Sequence, residues 1–162
     1  MSEPVFRPAQ EADLPEIRRI ASAAWAPIFE YFRGAMGDDL YGREHPGNNL
    51  EAKADQVESH FRDYGEWAFV TELEGRVVGF CTYRLRDNGV GVIGNNAIDP
   101  AYQGQGLGTA QYHEVLRRFR AGGMKYATVH TGLDESHAPA RRAYEKAGFR
   151  AVRPHVEYYM EL

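Results

Sequence analysis

The sequence predicts an α/β fold with a mixed, mostly antiparallel sheet flanked by helices. Three observations carry that prediction. From Asp13 to Trp25 and again from Asn49 to Gly65 the apolar residues recur at helical spacing. From Trp67 to Asp99 the pattern changes to strands separated by tight turns. At Gly104, Gly106 and Gly108 a glycine turn follows the last of these strands, and a second helical pattern begins at once.

The elements follow in chain order. Val5-Phe6-Arg7 is a short strand. Asp13 opens a helix with Pro15 in its first turn, and Leu14, Ile17, Ile20, Ala21, Ala24 and Trp25 form one apolar face. Pro27 is expected to break that pattern and leave Ile28 to Asn48 irregular. Asn49 is expected to cap a helix carrying Leu50, Ala54, Val57 and Phe61, ended by Gly65. Trp67 to Leu73, Arg76 to Arg86 and Val90 to Asp99 read as an antiparallel meander joined by Glu74-Gly75 and Asp87-Asn88-Gly89. Gly94-Asn95-Asn96 are poor strand residues, so the third strand should bulge or splay there. Leu107 to Ala121 is a helix stopped by Gly122-Gly123. Tyr126 to Thr131 is a strand reached by a parallel crossover, Gly132 to His137 a loop, and Ala138 to Ala147 a last helix. Val152 to Leu162 alternates like a final strand.

Bulk properties narrow the function. The chain has 162 residues, which predicts one domain spanning 1–162. A net charge of −4 without a basic block argues against a nucleic-acid partner. No apolar run is long enough for a membrane span, and no secretion signal opens the chain. One cysteine, Cys81, allows no internal disulfide and fits a cytoplasmic protein; its apolar neighbours mark it as a buried hydrophobe. The six histidines show no metal spacing, so no metal is expected. No serine sits in a Gly-x-Ser-x-Gly elbow.

The glycine turn is an anion site in outline, because bare amides and a helix start converge there. It lacks the lysine of a P-loop, and Thr109 stands where a dinucleotide fingerprint needs glycine. Gln103, Gly106 and Gly108 do form Gln-x-x-Gly-x-Gly after a strand ending in Asp99-Pro100. This resembles the pyrophosphate loop of the GCN5-related N-acetyltransferase (GNAT) family. Ala138 to Phe149, with Tyr144-Glu145-Lys146-Ala147-Gly148-Phe149, resembles that family's second signature, in the expected order. The resemblance runs from Trp67 to the C-terminus.

It implies a sheet of about seven strands with about four helices and a splayed strand pair holding acetyl-CoA. It implies that the amides of Gly104, Gln105, Gly106, Leu107, Gly108 and Thr109 hold the pyrophosphate, with Gln103 opening the motif. Ala97 and Ile98 would pair with the pantetheine arm. Tyr144 would protonate the departing thiolate. His137, where the family often has asparagine, would be a cofactor contact. The implied reaction is direct transfer of acetyl to a primary amine in a ternary complex. The alternative is a non-catalytic acyl-CoA-binding sensor.

The resemblance also implies that the acceptor, a small-molecule or peptide amine, sits between Trp25 and Asn48, with Phe29, Tyr31, Phe32, Tyr41 and His45 as candidate wall residues. Glu72, His130 and Asp134 are the candidates for general base, and Asn95 and Asn96 could position a water. A homodimer contact through Tyr158-Tyr159-Met160 is a further expectation.

Overall fold

A computed structural model describes residues 2–162. The elements are β1 (Val5–Pro8), α1 (Leu14–Met36), α2 (Asp38–Glu44), α3 (Asn49–Tyr64), β2 (Ala68–Leu73), β3 (Arg76–Leu85), β4 (Val90–Ile98), α4 (Leu107–Ala121), β5 (Tyr126–Thr128) and α5 (Ala138–Lys146). The strands form one sheet in the order β1-β2-β3-β4-β5. β1 to β4 are antiparallel, and β5 joins β4 in parallel, as the strand–helix–strand pattern requires.

The central strands are buried on both faces, which is why they read as nearly continuous apolar runs. Phe69 and Cys81 point to one face, where Tyr112, Val115 and Phe119 of α4 and Tyr144 of α5 cover them. Val70 and Phe80, one residue along, point to the other face, against Ile17, Ile20 and Ala21 of α1 and Val57 of α3. Cys81 is fully buried, and desolvation pushes its thiol pKa far up, so it is a packing residue.

Three expectations need correction. α1 continues through Pro27 to Met36, although that proline lacks the N–H that the helix would use. Aromatic packing overrides the local break: Phe29 and Phe32 both contact His45, with ring centroids 5.8 and 5.9 Å away. α2 closes this end through Arg33–Asp38 at 2.5 Å. Residues 150–162 form no strand and are exposed throughout. Alternation makes a strand only where an edge receives it, and the adjoining β5 is a short piece of 3 residues. The sheet therefore has five strands. A smaller shift is that Asn48 caps α3, its side chain accepting from the Glu51 amide.

β1 is tied to the start of α1 by charge. Arg7 forks onto Asp13 at 2.7 and 2.8 Å and reaches Glu72 at 3.0 Å. The Arg7 guanidinium, with the Gln10 amide, holds the buried Asp13 carboxyl below its ordinary pKa despite desolvation. A depressed carboxylate stabilises the fold above its unfolded pKa and loses that contribution as pH falls through the folded value. Asp13→Asn should therefore lower unfolding free energy by about 1–2 kcal/mol at pH 7. In urea titrations the gap to the parent chain should close as pH falls below about 4.

Candidate active site

β4 organises the site. It pairs with β5 only from Val90 to Val92, then the two strands part. Beyond that point the β5-facing backbone edge of β4 has no strand partner. The irregular register falls between Cys81 and Tyr83 of β3, opposite Gly94-Asn95. The bulge that the poor strand residues predict is present. A side chain at Gly94 would meet the Thr82 hydroxyl at 2.6 Å, so the close approach requires glycine. That hydroxyl donates to the Asn95 carbonyl at 3.0 Å and holds the bulge.

The strand alternation then sends neighbouring asparagines to opposite faces. Asn96 lies with α4 and α5. Its Nδ2 donates to the Tyr144 hydroxyl at 3.2 Å, and its Oδ1 accepts from the Tyr112 hydroxyl at 2.8 Å. The two tyrosine rings lie 4.5 Å apart. Burial raises the Tyr144 pKa, and the contacts with Asn96 and Tyr112 only partly oppose it. The phenol thus keeps its proton. Because its oxygen accepts from Asn96, its own O–H remains available to a third group.

β4 runs into the glycine turn. Asp99 accepts from the Ala101 amide and from Arg19, and the Gln103 side-chain amide donates to the Ile98 carbonyl at 3.0 Å. Gln103 thereby ties the turn to the end of β4. Gly104 and Gly106 have φ of 79° and 82°, the left-handed region that glycine enters without strain. Gly106 is the N-cap of α4, and no side chain caps that helix. The first amides of α4, from Leu107 to Thr109, are therefore not covered by a cap. Leu107 packs with Ile98 and Val78, while a Cβ at Gly108 would stand 4.0 Å from Ala143. The turn, the end of β4 and α5 thus meet at one place. Ala97 and Ile98 pair with Phe80 and Gly79 of β3 on their inner edge.

On the opposite face lies a cavity of about 540 Å³. Trp25, Phe29, Phe32, His45, Lys53 and His137 are among its lining residues. Of the expected wall residues, Phe29, Phe32 and His45 line it. Tyr31 is exposed, and Tyr41 supports His45 from behind at 4.9 Å. His137 is brought here by the turn before α5. Its Nδ1 lies 2.7 Å from Asp134 Oδ2, and its ring is 6.3 Å from Phe32. Asp134 also caps that turn, accepting from the His137 amide and from Ser136. Burial works against the Asp134 carboxylate, but these hydrogen bonds prevail and hold its pKa down.

The other base candidates lie elsewhere. Glu72 is engaged by Arg7, and His130 stacks on His155 at 5.2 Å. Sequence reasoning misses Tyr112, Lys53 and the bridging role of Asn96. A signal exists for Tyr112, since Leu107, Gln111, Tyr112, Val115 and Phe119 are the buried positions of α4.

The Acetyltransferase (GNAT) family model matches residues 25–149. The chain belongs to that family. Mycothiol acetyltransferase of Thermomonospora curvata is 29% identical over 160 residues, covering 94% of this chain and 52% of that protein. The chain spans about half the length of the curated relatives it matches. The fold is similar to a GNAT family acetyltransferase of Brucella melitensis in complex with acetyl-CoA. The TM-score is 0.64 at 21% identity, covering 93% of this chain and 85% of that one. It is also similar to the PaiA N-acetyltransferase of Thermoplasma acidophilum in complex with coenzyme A. That TM-score is 0.72 at 12% identity, covering 94% and 93%. Among the described residues no helix is long and apolar enough to cross a membrane, and no cluster of metal-ligand side chains occurs.

Proposed function

We propose that this chain transfers an acetyl group from acetyl-CoA to the primary amine of a small molecule, directly and within a ternary complex. The observation that carries this reading is the Tyr144 hydroxyl, held by Asn96 beside the parted strand β4 and near an uncapped helix start. The amides of Gly104 to Thr109 suit the pyrophosphate, because the helix start favours negative charge and the glycines allow close approach. The open edge of β4 around Ala97 and Ile98 suits the pantetheine arm, which would add to it through backbone hydrogen bonds. The relatives named for a small thiol support a small-molecule acceptor.

The chemistry then divides between the two faces. The amine nitrogen attacks the thioester carbonyl and a tetrahedral intermediate forms. As the intermediate collapses the C–S bond breaks and the thiolate takes the Tyr144 proton. The second proton of the attacking nitrogen leaves through solvent, which yields the neutral amide and returns a proton to the Tyr144 phenolate. An ammonium must first lose a proton, and His137 is placed to receive it. Asp134 accepts from Nδ1–H, which fixes the tautomer and leaves Nε2 as the basic nitrogen. No covalent acyl-enzyme is needed, and fully buried Cys81 cannot serve as one.

Initial rates with both substrates varied should give intersecting double-reciprocal lines. Parallel lines would contradict direct transfer. His137→Gln should lower kcat/KM by about 100-fold. Added imidazole should partly restore the activity of His137→Gln. An unchanged kcat/KM would remove His137 from the base role.

A further inference from the structure

Among the described residues, Lys53 is the one ammonium lining the cavity, and no carboxylate lines it. Its Nζ reaches two neutral amide oxygens, Gln56 Oε1 at 2.5 Å and Asn95 Oδ1 at 3.3 Å. It stands 4.8 Å from the centroid of the Trp25 ring. Burial alone shifts its pKa, downward, with no acidic neighbour opposing the shift. The arginines of α1 and α3 differ. Arg18 pairs with Asp55 and Glu58, Arg19 with Glu16 and Asp99, Arg33 with Asp38, and Arg62 with Glu11 and Glu58. A half-buried cation without a counter-ion favours any ligand that brings one.

The position of Lys53 relative to the splay gives this a direction. Asn95, which it touches, sits in the β4 bulge next to Asn96, and Asn96 holds Tyr144 on the opposite face. An acceptor amine placed at the parted strands would have its neighbouring substituents within reach of Lys53. Trp25, Phe29 and Phe32 supply apolar wall for the remainder.

We propose that the acceptor carries a carboxylate or comparable anion close to its amine, an amino-acid-like molecule, and that Lys53 binds this anion. The inference rests on reading the cavity as the acceptor site of the proposed transferase. It disfavours polyamines and other polycations, which would bring a second positive charge against Lys53.

The test uses molecules that differ only in the carboxylate. Binding of N-acetyl-L-phenylalanine and of N-(2-phenylethyl)acetamide is measured calorimetrically on the whole chain. Thiol release from acetyl-CoA is followed with L-phenylalanine and 2-phenylethylamine, and with leucine and isoamylamine. The carboxylate member of each pair should be preferred by about tenfold or more. Lys53→Met should bring the ratio near one by weakening that member alone, and Lys53→Arg should restore it. Lys53→Glu should turn the preference toward cadaverine. A wild-type preference for the decarboxylated member, equal binding of the pair, or an equal loss for both in Lys53→Met overturns the proposal. The last result is what a lysine that merely braces Asn95 would give. Selective binding of the carboxylate probe without any thiol release would sustain the role of Lys53 and count against the transferase reading.

Discussion

Gly106→Glu is expected to weaken acetyl-CoA binding by more than about 100-fold while the fold persists. Gly106 has φ 82°, and an L-residue there costs roughly 1–2 kcal/mol. A Cβ at this position meets nothing within 4 Å, so the side chain fits without displacing the core. The loss of affinity comes from placing a carboxylate where the first amides of α4 would receive phosphate oxygens. Gly106→Ala separates the two effects, since it carries the backbone strain without the charge. Its melting temperature should fall like that of the glutamate variant, and its affinity should fall far less. Calorimetric titration of acetyl-CoA into the three proteins, beside thermal unfolding, measures both. Unchanged affinity in Gly106→Glu would place the pyrophosphate elsewhere.

Tyr144→Phe should reduce kcat by about 100- to 1,000-fold and leave the affinity for acetyl-CoA within about twofold. The ring is buried among Tyr112 and Phe149, 4.5 and 5.9 Å away, and phenylalanine preserves that packing. Only the hydroxyl is lost. Asn96 Nδ2 then keeps one of its two bonds, to the Gly94 carbonyl at 3.0 Å, and because Asn96 is only half-buried the freed N–H can be hydrated. As the thiolate departs, the Asn96 hydrogen bond stabilises the developing phenolate, and burial keeps the proton in place until then. A Phe variant with normal kcat would reduce Tyr144 to a packing residue.

What the sequence makes legible here is what local chemistry determines. Glycines at 104, 106 and 108 before a helical pattern specify an uncapped helix start, and that is the observed turn. Gly94-Asn95-Asn96 contradict a regular strand, and β4 bulges there. The stretch around Tyr144 forms a helix with that tyrosine buried, as its pattern indicates. What fails depends on distant partners. Pro27 lies inside α1 because aromatic contacts among Phe29, Phe32 and His45 hold the helix together beyond it. Val152 to Leu162 has the right alternation and no edge that receives it. Lys53 looks like any exposed helical lysine until folding sets it over Trp25 and against Asn95. His137 and Asp134 stand close in sequence, yet the place of His137 in the cavity wall appears only when the start of α5 meets α1.

Release of free thiol from acetyl-CoA, followed with and without a panel of primary amines and matched by mass spectrometry of the amine, tests the central proposal most directly. The account predicts that thiol appears only when an acceptor amine is present, one equivalent for each acetylated amine, and that Tyr144→Phe suppresses both together. Tight acetyl-CoA binding with no amine-dependent thiol across the panel would contradict it, and would leave a module that binds the acyl donor without performing the transfer.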